Sequence, residues 1–237
     1  MTVKIIIPAR MDSARLPAKV LLPLKGIPML EHVRRRCCEA IGNENVFVAS
    51  GDSEIFDVML DYKANIIRTN KDHINGTSRV CEAARLMQFS DVLIVQGDEP
   101  LIRVSNIKIF IKNMLQYNKL NIFCATSPLE NESDLNNKDV VKCITDQAGE
   151  ILFLFRKSPF FYSSEKYARK IQGLIGFKNG SLNLPIKSQG TVGESESIEQ
   201  LILLENGLKL KAVEFLDSAP SVNTSEEYKQ ILDFFNR

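Results

Sequence analysis

Four short apolar runs, each followed by a helix-like stretch or a polar turn, do most to restrict what this chain can become. They are Val3–Ile7, Asn45–Ser50, Asn65–Arg68 and Asp91–Gln96. Each is rich in Val and Ile and lacks a polar/apolar alternation, which is the pattern of a strand buried on both faces. Helix-like segments lie between them: Met29–Gly42 behind Pro28, Ser53–Tyr62, and Gly76–Met87 behind an Asn75–Gly76 turn. Proline at a helix start and glycine at its end are the expected punctuation. Strands alternating with helices predict an α/β fold, a mostly parallel sheet with right-handed crossovers and helices on both faces. Ligands of such sheets sit beyond the carboxyl ends of the strands. Residues 8–19 and 96–100 both follow strand ends, so they are predicted to face one crevice.

The second half is less regular. Residues 104–117 read as a helix, and Ile122–Ser127, Val140–Thr145 and Ile151–Phe155 read as strands. Residues 163–170 and 187–195 are polar and loop-rich. Ser195–Leu204 reads as one helix ended near Gly207, and Ser225–Phe235 as a closing helix. No repeat, low-complexity tract or linker divides the chain, so residues 1–237 are predicted to form a single domain. With 30 basic and 29 acidic residues the chain lacks the basic excess of a dedicated nucleic-acid binder. No stretch approaches the roughly 18 apolar residues that insert across a bilayer. Five cysteines without a CxxC spacing fit reduced thiols, and the N-terminal apolar run is too short for a secretory leader. The expected location is cytoplasmic. Only His32 and His73 are present, which supplies a zinc site or a Ser-His-Asp triad poorly.

The loop after the first run reads Pro8-Ala9-Arg10-Met11-Asp12-Ser13-Ala14-Arg15-Leu16-Pro17-Ala18-Lys19. Arg10, Arg15 and Lys19 place three cations at the mouth of the predicted sheet. A triphosphate carries about four negative charges, and its binding needs several cations and donors. The loop has no glycine, so it is neither a P-loop nor a dinucleotide fingerprint. A solvated basic loop is the plain alternative.

Two further segments bear on the same crevice. In His73-Ile74-Asn75-Gly76-Thr77-Ser78-Arg79, Gly76 lets backbone approach a base, while Thr77 and Arg79 offer donors. A loop with a helix cap at Asn75 is the plain alternative. In Val95-Gln96-Gly97-Asp98-Glu99-Pro100, an acid at a strand end can hold magnesium against phosphate oxygens.

Pro8-Ala9-Arg10-x-x-Ser13-x-Arg15-Leu16-Pro17-x-Lys19, followed by Gly26-Ile27-Pro28-Met29-Leu30, resembles the signature of the sugar-activating cytidylyltransferases. The closest resemblance is to the 3-deoxy-manno-octulosonate (KDO) branch. It implies a Rossmann-like sheet of the nucleotide-diphospho-sugar transferase type. It implies CTP and an acidic α-keto sugar as substrates, giving CMP-sugar and pyrophosphate with Mg²⁺ as cofactor. Homodimerisation is implied too, with a sugar-binding and dimer part within about 125–215. Pro8, Ala9, Arg10, Ser13, Lys19, Asn75, Gly76, Thr77, Arg79, Gln96 and Gly97 then contact the nucleotide. Arg10, Arg15, Lys19 and Asp98 carry the chemistry.

The chain departs from that pattern in places. Ala18 stands where the family usually has glycine, and Asn75 where it has serine. A late Val-Asp-Thr reads Val222-Asn223-Thr224, so the second magnesium ligand becomes an uncharged carbonyl. The sugar residues implied are Arg156, Glu196, Glu199 and Gln200. Glu196 sits four residues before Gln200 and is expected to share a helix face with it. A His-Leu-Gly-Ile-Tyr stretch becomes Ile171-Gln172-Gly173-Leu174-Ile175. That loss of polarity predicts a pocket tuned away from KDO itself, toward an N-acyl, amino or deoxy sugar acid.

Overall fold

A computed structural model describes residues 2–13, 15–129, 132–159, 166–187, 189–218 and 220–236. The chain forms two compact units. One comprises the described residues within Met1–Ile111 and Ala219–Arg237, the other Lys112–Ser218.

The first unit opens with β1 (Lys4–Pro8) and a small hairpin of β2 (Pro23–Leu24) and β3 (Ile27–Pro28). It continues through α1 (Met29–Ile41), β4 (Val46–Ser50), α2 (Ser53–Asp61), β5 (Asn65–Arg68), α3 (Gly76–Leu86), β6 (Val92–Val95) and the part of α4 (Val104–Gln116) up to Ile111. The strands lie in the order β6-β1-β4-β5, and every neighbouring pair is parallel. Ile5, Ile6 and Ile7 of β1 and all of β6 are fully buried. That is why their runs are continuous rather than alternating. From β1 the chain steps outward to β4 and β5, then returns to the other side of β1 as β6. The strand order therefore reverses between β1 and β6, and a crevice opens at such a reversal beyond the strand ends.

The helices follow their sequence signals. Met29, Leu30, Val33 and Cys37 form the buried stripe of α1. Beside it the Glu31 carboxylate accepts two bonds from the Arg34 guanidinium, at 2.6 and 2.9 Å. Gly42 follows the helix with φ 87°, a backbone angle that favours glycine.

The second unit holds β7 (Ile122–Pro128), β8 (Lys142–Thr145), β9 (Ile151–Phe155), β10 (Arg169–Phe177), α5 (Val192–Ser195), α6 (Glu199–Glu205) and β11 (Leu210–Glu214). Here pairing is mixed. β11 runs parallel to β7, β10 antiparallel to β7, and β8 antiparallel to both β10 and β9. α7 (Ser225–Asn236) belongs to the first unit, where Ile231 packs with Leu24, Met29 and Val222.

Several expectations need correction. Strands β10 and β11 were not foreseen, and the polar stretch expected over 163–170 ends inside β10. Residues 163–165 lie outside the described residues. The single helix expected over Ser195–Leu204 is two short helices, because Ser197 adopts φ 53° between them. That left-handed turn breaks the i, i+4 spacing, so Glu196 and Gln200 do not share a helix face. Glu196 is exposed and Gln200 is buried. Ile175 is also buried, so it belongs to the core of its unit.

Candidate functional site

The ends of β1 and β6 approach each other closely. A Cβ added at Gly97 would lie 3.3 Å from the Pro8 carbonyl oxygen and 3.2 Å from Leu30 Cδ1. A Cβ at Gly76 would lie 3.1 Å from the Pro8 ring and 3.6 Å from Gln96 Oε1. Both gaps are tighter than ordinary packing, so these two glycines let three segments of the sequence pack against one another. Pro8, Gly76, Gln96 and Gly97 are thus brought together, beside the buried Ala9.

The cations of the 8–19 loop are ordered by different means. Lys19 reaches Asp98 Oδ2 at 2.5 Å, the Val222 carbonyl at 3.0 Å and Asn223 Oδ1 at 3.3 Å. Arg15 donates to the same Asn223 oxygen at 3.3 Å. The Val222 amide donates to the Asp98 carbonyl at 2.8 Å, which fixes the two backbones. Asn223 and Thr224 are held in turn. Both amides donate to Glu227 Oε2, and the Glu227 amide donates back to Thr224 Oγ1. This is the reciprocal capping box of α7. The Lys19–Asp98 pair is half-buried, so salt screens it less than a surface pair. Arg10 is exposed and Ser13 half-buried.

Helix α3 grips its own entry loop. Asn75 caps it, its side chain accepting from the Ser78 amide at 2.8 Å. The buried Arg79 donates to Thr69 Oγ1 and to the carbonyls of Asn70 and Lys71, at 2.8, 2.9 and 3.1 Å. Burial pushes its pKa below the usual arginine value. Arg79 therefore shapes the 69–71 backbone, where a donor to the nucleotide was expected. Thr77 is half-buried at the same helix start. Glu82 accepts from His73 Nε2 at 2.5 Å and from the Asn70 amide at 3.0 Å.

Sequence reasoning missed Asp52. It is buried, and its Oδ2 accepts the Met11 amide at 2.8 Å, tying the basic loop to the end of β4. The signal was present, since Asp52 follows a buried strand just as Asp98 does.

In the second unit Arg156 donates to three main-chain carbonyls, of Glu196, Lys138 and Ser197, at 2.7, 2.8 and 2.9 Å. Lys142 donates to the carbonyls of Asn137, Val140 and Arg156. Glu199 lies half-buried in the first turn of α6, next to the buried Gln200.

Among the described residues no three His, Cys, Asp or Glu side chains gather in a metal-binding group. The oxygens on Lys19 are one carboxylate and two carbonyls. That donor set suits magnesium, which takes one or two carboxylates and completes its shell with water and phosphate oxygens. Among the described residues no helix is long and apolar enough to cross a membrane.

Comparison with known proteins places this geometry. A family profile described as cytidylyltransferase matches residues 4–209, and the chain belongs to that family. It is 32% identical to a 3-deoxy-manno-octulosonate cytidylyltransferase of Fusobacterium nucleatum, over 97% of this chain and 95% of the relative. It is 35% identical to one from Chlorobium limicola, over 96% of this chain and 94% of the relative. A solved CMP:2-keto-3-deoxy-manno-octonic acid synthetase, complexed with CTP, superposes with a TM-score of 0.90 at 26% identity. That match covers 100% of this chain and 99% of the other. A putative glucose-1-phosphate thymidylyltransferase from Bacillus anthracis shares the fold, with a TM-score of 0.71 at 15% identity over 99% of this chain and 95% of its own.

Proposed function

We propose that this enzyme couples CTP to a KDO-like α-keto sugar acid, releasing pyrophosphate and forming a CMP-sugar for surface polysaccharide synthesis. The observation that carries the reading is the junction of Lys19, Arg15, Asp98 and Asn223 at the β1/β6 reversal of a cytidylyltransferase chain. The anomeric hydroxyl attacks the α-phosphorus, the α–β anhydride bond breaks, and the hydroxyl proton passes to solvent. Such a reaction depends on in-line placement and charge neutralisation more than on a covalent nucleophile.

Lys19 and Arg15 offset charge on the β- and γ-phosphates. Gly76 and Gly97 let the segments that face the nucleotide pack closely beside Pro8 and Gln96, and Arg79 keeps the 69–71 loop in shape. Asp98, with the Asn223 carbonyl, would hold Mg²⁺, which when bound neutralises phosphate charge. Glu199 and Gln200 are assigned to the sugar, and Arg156 to the turn that precedes them. The enzyme works in the cytoplasm as a homodimer, with residues within about 125–215 forming its sugar and dimer part.

The test is pyrophosphate release with CTP and Mg²⁺ across a panel of KDO, nonulosonates, amino or deoxy sugar acids, and neutral sugar 1-phosphates. Release with a sugar acid is expected. Release only with a neutral sugar phosphate, or CTP binding with no release under any sugar, would overturn the reading. KDO turnover against that of its N-acyl and amino analogues ranks the sugars.

A further inference from the structure

The oxygens that suit a divalent cation are the same oxygens that hold the Lys19 ammonium. Asp98 Oδ2, the Val222 carbonyl and Asn223 Oδ1 lie 2.5, 3.0 and 3.3 Å from Nζ. Magnesium binds oxygen at about 2.0–2.1 Å and tolerates little distortion, so one oxygen set cannot hold both cations at once. We propose that Lys19 and a divalent cation are alternative occupants of this oxygen set, so that Lys19 suppresses metal binding until a triphosphate draws its ammonium away. The proposal rests on the nucleotide reading above.

Three observations support it. Among the described residues Asp98 is the one carboxylate paired with Lys19, and the ammonium balances its charge. The nearby Glu227 carboxylate is occupied by the amides of Asn223 and Thr224. The oxygens also do not depend on Lys19 for their convergence. The Val222 amide ties its backbone to that of Asp98 at 2.8 Å, and Asn223 Nδ2 donates to Ser221 Oγ at 2.9 Å. When Lys19 turns to phosphate, the preformed oxygen set loses the ammonium that balances Asp98, while Arg15 stays on the Asn223 oxygen. Nucleotide and metal then raise each other's affinity, as linkage requires.

The experiment titrates Mn²⁺ into nucleotide-free protein, read by electron paramagnetic resonance. Lys19→Met should bind Mn²⁺ about tenfold tighter than wild type, within the usual range of coupling between sites. Lys19→Arg keeps the charge and should stay as weak as wild type. Adding Asp98→Asn to Lys19→Met should abolish the gain. Lys19→Gln serves if the Met variant does not fold. A gain of about threefold or more in a neutral variant supports the proposal, and less, or a loss, overturns it. If wild type fails to bind CTP, the proposed function falls while this titration still decides the competition. If CTP binds and the neutral variants gain nothing, the competition falls alone.

Discussion

In the first unit the cations Arg15 and Lys19 meet side-chain oxygens of Asp98 and Asn223. In the second, the cations Lys142 and Arg156 donate their hydrogen bonds, among the described residues, to main-chain carbonyls. The chemistry of the two sets differs in what it permits. A side-chain ion pair at a crevice can exchange its partner for a phosphate. A guanidinium donating to the carbonyls of Lys138, Glu196 and Ser197 instead ties separate stretches of backbone together, and its loss frees them to water. The first arrangement suits the proposed reaction and the second maintains a shape.

The sharpest way to break this comparison is to remove the exchangeable pair. Lys19→Ala and Asp98→Ala should each lower turnover about a hundredfold or more, the usual cost of losing a charge-stabilising group. Steady-state pyrophosphate release measures it, and near-normal turnover in either variant would refute the assignment. Arg79→Met lies between the two classes, since Arg79 belongs to the first unit yet binds carbonyls. It should raise the KM for CTP about tenfold and cost roughly 2–3 kcal/mol in denaturant melts, from three abandoned acceptors. Arg156→Met should cost about 1 kcal/mol, since its acceptors are exposed to water, and raise the KM of the sugar while leaving CTP affinity alone. Calorimetric CTP titration separates these outcomes.

Lys142 sharpens the comparison through pH. Burial lowers its pKa to about 8 from 10.5. Between these values the unfolded chain binds more protons, so this group adds stability as pH rises from about 8 to 10.5, and contributes no slope below. The free energy of unfolding of wild type minus that of Lys142→Met should therefore increase across that window. The smallest effect belongs to Ala18, which holds φ 54°. Ala18→Gly should stabilise the protein by about 1 kcal/mol, because a Cβ is strained there. A lower melting temperature would show that the loop tolerates no extra freedom.

Much of this was legible in the residues. The unbroken Val/Ile runs located β1, β4, β5 and β6, and the ends of Asn65–Arg68 and Ile151–Phe155 needed no adjustment. β10 was hidden because Arg169, Lys170, Gly173 and Gly176 weaken its local strand signal, and pairing along β7 decides instead. The break at Ser197 was hidden because a serine in a left-handed conformation leaves no sequence mark. Asp98 was recognisable just past a strand end, and Lys19 in the basic loop that follows β1. That Lys19 meets Val222 and Asn223, and Asp98 meets Val222, depends on contacts more than a hundred positions away, which no local pattern encodes.

That contact also has a consequence in time. Lys19 and Asp98 are both made long before Asn223, which follows Asp98 by 125 positions (223 − 98). At roughly 5–20 residues per second, about 6–25 s separate them on the ribosome. A nascent chain can complete β6-β1-β4-β5 well within that interval, yet it still lacks the oxygens of Val222 and Asn223. A growing chain can therefore pair Lys19 with Asp98 before the oxygens of Val222 and Asn223 arrive to complete the set.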